Sequence, residues 1–593
     1  MNRLSWGRRR RGRGEETRAG HPPLLADLPA SPPAEPCPGS RESRGQVAAA
    51  AAARETLSRR GLLEGGAALA GLALAAGAFA PAAAATTTAA GTGPARPRTR
   101  DRRAFEARLA AARLQDAQPA ARHATNGDES ALPGWLAAYS KGLPHNSLGE
   151  VDGPAYRVLL QALASGRPAD FERIPLGGFV KLANPQGGLA LNLIGPDPAQ
   201  VELAPPPRFG SPEQAAELVE LYWQALLRDV PFADYDSHPL ARRAAEDLSR
   251  IPRFKGPRDG RGLVGPATLF RGAGEACLTG PYLSQFLYKD IFLPPMWVPQ
   301  KVRTAAPGLD YMTAHEPWLA CQNGAIAGVN HFDEHPRHLR NGRDLGEFVH
   351  RDFSYQAALD ASLVLLKIGT PANGGNPYMH SRTQTGFATF GAPYLFYLLA
   401  VVTQVALTAS WYQKWCVHRR LRPEEYAGRV EMQRAGRARY PIPGEVLASE
   451  GLAEITQRQA TALLPQAYPE GCPTHPSYPA AHAVIAGAGT TVLKAFFDES
   501  YLVPKPVVPA PDGLALQPYA GPPLTVGGEL DKLAWNVGMG RDFAGIHWRS
   551  DVAAGLELGE QVALAVLREM KLTGNELFTG FSLRRLDGKR VTI

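Results

Sequence analysis

Apolar residues recur at helical spacing along this chain and almost never in strict two-residue alternation. The clearest cases are SPEQAAELVELYWQALLRDV at 211–230, SYQAALDASLVLLKIG at 354–369, GLAEITQRQATALL at 451–464 and RSDVAAGLELGEQVALAVLREM at 549–570. In the first, Ser211 suits an N-cap and Pro212 a first helical turn. With strand-like alternation rare, the pattern predicts an all-α architecture. The stretch APYLFYLLAVVTQVALTAS at 392–410 is long enough to span a membrane, but Thr403 and Gln404 interrupt it and WYQKW follows, so it is expected as a buried core helix.

Charge separates the N-terminus from the rest. Residues 1–60 hold 12 arginines against 6 acidic residues, whereas the remainder holds 52 basic and 50 acidic residues. A body so close to neutral argues against a broad nucleic-acid-binding surface. Residues 1–57, rich in Arg, Pro, Gly and Ala without periodicity, are expected to be disordered. In 58–85, Arg59–Arg60 precede an apolar Ala/Leu/Gly run with an Ala-x-Ala-like end, which resembles a twin-arginine signal peptide and predicts export to the periplasm or beyond, with no stable membrane insertion once the signal is removed. A linker is expected at 86–103, and the body is divided at 104–345 and 346–593. Five scattered cysteines, with no CxxC pair, allow at most one or two disulfides. GxxxxGK[ST], HExxH and Rossmann fingerprints are absent. The run HFDEHPRH at 331–338 matches no established metal spacing and reads as a solvated loop.

Three segments concentrate cations and histidines: WYQKWCVHRRLRPEEY at 411–426, HPSYPAAHA at 475–483 and GRDFAGIHWRSD at 540–551. In the first, Pro423 pushes Arg422 out of the helical region and so fixes its guanidinium, among Trp411, Trp415 and Tyr426. In the second, Pro479 suits a first helical turn, which leaves the amides of Ala480, Ala481 and His482 as free donors at a positive helix end. In the third, Gly540 and Gly545 loosen a loop between Arg541 and His547, Ser550 can cap the next helix, and Asp551 lies four residues after His547, within reach of its second ring N–H. Together, Lys414, Arg422 and Arg541, a helix N-terminus and two histidines suit a tetrahedral oxyanion whose central atom is phosphorus or vanadium.

The order Lys-x7-Arg-Pro, Pro-x-x-His, Arg-x5-His-x3-Asp resembles the superfamily that unites vanadium-dependent haloperoxidases with type 2 phosphatidic acid phosphatases. FATFGAPYLFYLLA, WYQKWCVHRRLRPEEY and HPSYP are similar to the bromoperoxidase branch, most strongly over 345–570, and VNHFDEHPRH suggests that the likeness starts earlier. The resemblance implies an α-helical bundle, a homo-oligomer and a vanadate cofactor. It makes His547 the axial nitrogen ligand, with Lys414, Arg422 and Arg541 neutralising the equatorial oxygens and the Ala481 amide donating to the cofactor. His482 matches the acid–base histidine, His475 an additional histidine of bromoperoxidases, and Asp352 an aspartate that pairs with the second arginine. By the same resemblance, hydrogen peroxide would replace oxygen ligands, Lys414 would polarise it, and bromide or iodide would be oxidised to a hypohalous-acid-like species that halogenates small organic acceptors, vanadium remaining at +5.

One departure stands in the second segment. The family usually reads Pro-Ser-Gly-His where this chain reads Pro479-Ala480-Ala481-His482, which removes a hydroxyl bond to the anion worth about 1–3 kcal/mol. Two other readings share the same residues: an exported acid phosphatase in which His547 attacks phosphorus and His482 protonates the leaving group, and an oxyanion-binding protein whose catalysis has decayed.

Overall fold

The computed structural model describes residues 97–593, and the disordered extension and signal peptide expected before them lie outside the described residues. Twelve α-helices of ten or more residues build this part. In chain order they are α1 (Pro97–Asp116), α2 (Gly153–Ser165), α3 (Pro212–Leu227), α4 (Pro239–Arg250), α5 (Gly342–Arg351), α6 (Gln356–Lys367), α7 (Ala392–Tyr412), α8 (Pro423–Arg434), α9 (Glu450–Gln459), α10 (Ala481–Phe496), α11 (Val526–Phe543) and α12 (Arg549–Met570). Strands among the described residues are limited to three short antiparallel hairpins, Ile291–Leu293 with Met296–Val298, Val507–Pro509 with Leu516–Pro518, and Ser582–Arg584 with Arg590–Thr592. The all-α expectation is met.

Helix α10 is the axle of the fold. All of its residues except His482 are buried, and it packs against α12, α7 and α11. Small residues let α10 and α12 approach almost backbone to backbone. A side-chain carbon on Gly559 would stand 2.0 Å from the Val484 carbonyl oxygen, and one on Gly555 2.7 Å from that of Ala480. That seam holds the N-terminus of α10 beside the first turn of α12, where the Ala480 amide donates to the Asp551 carbonyl at 2.9 Å. The largest apolar core runs from Val201 to Ile593 and so takes residues from both sides of position 345.

Helix boundaries follow local chemistry where capping is strong. Ser211 accepts from the Gln214 amide and starts α3, as expected. Helix α12 covers the whole of 549–570. Helix α9 is shorter than expected, because Ala460 turns into the left-handed region (φ 57°) and ends it. Beyond it, Ala462 and Leu464 join one apolar cluster and Leu463 another, which a continuous helix would not allow. Residues 97–103, expected in a linker, belong to α1, where alanine, arginine, leucine and glutamate favour helix. Helix α7 buries only one face, including Leu395, Leu398, Leu399 and Val402, while Tyr397 and Gln404 are exposed, so it is a core helix on its inner side alone. Cys277, Cys321, Cys416 and Cys472 are free thiols; Cys37 lies outside the described residues. Among the described residues no group of three or more His, Cys, Asp or Glu side chains gathers to hold a metal ion, and Arg337 binds Asp333 of the 331–338 run at 2.8 Å.

Candidate anion and histidine site

After α7 the chain widens into a π-helical turn, Gln413–His418, closed by the Arg419 amide on the Lys414 carbonyl at 3.0 Å. This turn carries Lys414 inward, with no measurable exposure. Arg419 then takes a left-handed conformation (φ 37°), and Arg422 is extended at the N-cap of α8, as Pro423 requires. Trp411 lies against the His475 ring, with centroids 4.8 Å apart, whereas Trp415 and Tyr426 pack away into apolar clusters.

The cations of this segment fall into two groups. Arg419 pairs with Glu129, its Nε donating at 2.7 Å, and Arg420 pairs with Asp551 at 2.7 Å and Glu217 at 2.9 Å. Lys414, Arg422 and Arg541 are buried with no carboxylate partner among the described residues. Lys414 Nζ donates to the carbonyls of Pro476 and Ser477 at 2.9 and 2.8 Å. Arg422 donates to the carbonyls of His475 and Ile546, each at 3.0 Å. Arg541 donates to the Val349 carbonyl at 3.0 Å, and its Nε has no partner. Burial pushes Lys414 well below the usual lysine range, and the nearby Arg422 and Arg541 push it further while Asp551 opposes them. Buried charge without a counter-charge is expensive, so the three cations leave room for an anion.

His547 faces them. Its Nδ1 donates to Asp551 Oδ2 at 2.9 Å, as the four-residue spacing predicted, so Nε2 is the ring nitrogen left for a ligand; in the structure it stands 3.0 Å from Arg422 Nη1. Burial, then Arg422, Lys414, Arg541 and His482, hold His547 well below the usual imidazole range. A neutral ring follows at ordinary pH, its Nε2 lone pair accepting only from Arg422 in the structure. Asp551 also accepts from Ser477 Oγ, Arg420 Nη1 and the Trp548 amide.

Several expectations need correction. Helix α10 starts at Ala481, with Ala480 as its N-cap and Pro479 one residue earlier. The Ala480 amide is spent on Asp551, so the donors left by helix geometry are those of Ala481, His482 and Ala483. Gly540 and Arg541 belong to the last turns of α11, and only Gly545 (φ 81°) is a turn residue. Ser550 does not cap α12; Trp548 is the N-cap and Asp551 receives its amide, while Ser550 Oγ donates to Glu217. Asp352 faces His482, with Oδ1 3.1 Å from Nε2, and does not pair with Arg541. His482 keeps 27% of its side chain exposed, whereas Lys414, Arg422, Arg541 and His547 are buried. His475 is buried with Nδ1 3.0 Å from Arg422 Nη2, and burial with Arg422 and Lys414 holds it well below the usual range.

Sequence reasoning missed Ser477, Arg420 and Glu217 as the brace behind His547. Ser477 and Arg420 stand inside the quoted segments. Glu217 had no signal except its polarity on a helix that is otherwise almost wholly buried.

The chain is similar to proteins of known kind. The family model described as the VCPO second helical-bundle domain matches residues 394–575. A vanadium-dependent bromoperoxidase of Ascophyllum nodosum is 35% identical over 527 residues, covering 84% of this chain and 93% of that protein. One from Corallina officinalis is 32% identical over 591 residues, covering 84% and 98%. Among solved structures, the homohexameric second vanadate-dependent bromoperoxidase of Ascophyllum nodosum superposes with a TM-score of 0.80 at 29% identity, over 87% of this chain and 94% of its own.

Proposed function

The chain belongs to the vanadium-dependent haloperoxidases, and from that premise we infer that the pocket of Lys414, Arg422, Arg541 and His547 is where it holds vanadate. It is a vanadate-dependent enzyme that uses hydrogen peroxide to oxidise halide. The observation that carries the pocket assignment is the set of three buried cations free of carboxylates around a neutral histidine whose Nε2 meets only one of those cations, Arg422.

The donor set fits a vanadate oxyanion. Lys414, Arg422 and Arg541 supply charge-assisted donors, the unpartnered Arg541 Nε among them, and the start of α10 adds the amides of Ala481 to Ala483. His547 would hold the metal through Nε2. When bound, vanadate supplies a Lewis acid that activates peroxide toward halide.

The remaining steps belong to the chain. Asp551 fixes the tautomer and direction of His547, and Arg420 and Ser477 fix Asp551. Lys414, buried and immobilised by two carbonyls, has a third N–H that would donate to the oxygen where charge develops. His482, part-exposed and held by Asp352, would pass a proton between peroxide and solvent, a role its partial exposure supports. His475 is held by Arg422 beside Trp411, where it keeps that guanidinium in place. Bromide and iodide are the halides proposed, with small organic molecules as acceptors.

A homo-oligomer is also proposed, supported by the homohexameric relative. The Arg59–Arg60 motif supports export by the twin-arginine route, which fusion of residues 1–90 to a folded reporter would test. The function is tested by stripping the protein, adding orthovanadate and following bromination of phenol red beside hydrolysis of nitrophenyl phosphate. Bromination that requires vanadate and bromide is expected; phosphate ester hydrolysis without halogenation under any halide would contradict the reading.

A further inference from the structure

Helix α5 ends at the pocket and serves it twice. The Val349 carbonyl in its last turn accepts from Arg541 at 3.0 Å, and Asp352, one residue beyond the helix, faces His482 at 3.1 Å. His350 lies between these two residues in sequence. Its ring is flat against Tyr468, with centroids 3.7 Å apart and planes 8° apart. The guanidinium of Arg541 stands 5.2 Å from the centroid of the same tyrosine ring, whose hydroxyl donates to the Gly346 carbonyl at 2.5 Å. Both ring nitrogens of His350 meet carboxylates: Nδ1 is 3.2 Å from Glu347 Oε2 and Nε2 is 2.5 Å from Glu470 Oε1. Donation at both nitrogens requires the protonated ring.

We propose that His350 is a positioning residue for the anion pocket: clamped by Glu347 and Glu470 and stacked on Tyr468, it locks the last turn of α5 so that Val349 and Asp352 keep Arg541 and His482 in place. No atom of His350 needs to touch the anion. The inference rests on the reading that this pocket binds vanadate, for which inorganic phosphate is a close structural probe.

The surroundings give the clamp a pH dependence. Facing or adjoining His350 are Glu347, Arg351 and Asp352 on its own segment, Tyr468 and Glu470 from the 465–475 loop, and Arg541 from α11; Lys141 donates to the Glu470 carbonyl at 2.7 Å. Burial works against the charged ring, but the two carboxylates outweigh it and raise His350 above the usual imidazole value. The clamp is therefore intact below that raised value and is lost as pH rises through it.

The test uses the full chain freed of vanadate. Binding of orthovanadate and of inorganic phosphate is measured by calorimetry from about pH 6 to about pH 9 for the native protein, His350→Phe and Glu470→Gln. The phenylalanine keeps the stacking but not the clamp, and Glu470, with 38% of its side chain exposed, tolerates an isosteric change. His350→Phe is expected to bind phosphate about tenfold more weakly at about pH 6, the acid end of the range, where the native clamp is protonated. In Glu470→Gln the alkaline fall in affinity is expected at lower pH than in the native protein, the ligand's own protonation being common to both. If the native protein binds both anions while the two variants match it in affinity and pH course, the positioning role is overturned and the pocket stands. If the native protein binds neither anion, the pocket reading fails and takes the positioning role with it.

Discussion

Asp551 gathers four donors at one buried carboxylate: His547 Nδ1, Ser477 Oγ, Arg420 Nη1 and the Trp548 amide. Replacing it with alanine frees the His547 ring to rotate and strips Arg420 of one of its two carboxylates. Asp551→Ala is expected to weaken vanadate binding about 10- to 100-fold, read by orthovanadate titration of the stripped protein. Ser477→Ala removes one donor of four and is expected to cost less than tenfold in the same titration. The departure at Ala480 gives a second prediction. As N-cap of α10, Ala480 has no side-chain oxygen to hold the amides of the first turn. Ala480→Ser is expected to raise the melting temperature of the vanadate-free protein, by a gain of about 1 kcal/mol, and to tighten vanadate binding in titration. Lys414, Arg422, Arg541 and His547 were legible in the sequence because their motifs are local. Glu217 was not, because it reaches Arg420 across 203 positions, and Asp352 was assigned the wrong partner because spacing says nothing about which distant side chain a helix end will meet.

The helices were legible where a cap, a proline or a long apolar stripe acts within a few residues, as at Ser211, Arg422–Pro423 and the whole of α12. They were not where tertiary packing overrides propensity. Helix α9 stops early to let Leu463 and Leu464 enter different clusters, and α11 runs through Gly540, where a side-chain carbon would press on Leu345 and Val349 of α5. The seam between α10 and α12 is the element on which the site most depends. Gly559→Ala would drive a methyl group into the Val484 backbone, so it is expected to destabilise the protein by about 1–3 kcal/mol in calorimetric melting. Because the same seam sets Ala480 against Asp551, vanadate affinity should fall with stability, whereas a surface glycine such as Gly588, with nothing near it, should move neither when changed to a residue that tolerates its positive φ, such as asparagine.

The molecule as a whole buries several histidines without protonating them. Burial is the leading cause at His145 and His418, each held down to about 3, and His475 and His547 are likewise depressed. A depressed histidine is neutral in the folded chain while the unfolded chain takes up a proton below about 6.5, so stability is lost as pH falls from about 6.5 toward about 3. At pH 5, His145 and His418 would cost about 2 kcal/mol each. Melting followed against pH should show this acid loss, and added phosphate should raise the melting temperature by occupying the cation pocket. The central claim is that a carboxylate-free cluster of Lys414, Arg422 and Arg541 around His547 holds vanadate for halide oxidation. Its most direct measurement is bromination by the stripped protein as orthovanadate is added: activity should rise from zero to a plateau at one vanadate per chain, be suppressed by phosphate and be absent in His547→Ala. A folded, vanadate-binding protein that halogenates nothing with bromide or iodide, or a His547→Ala variant that keeps the full response, would contradict it.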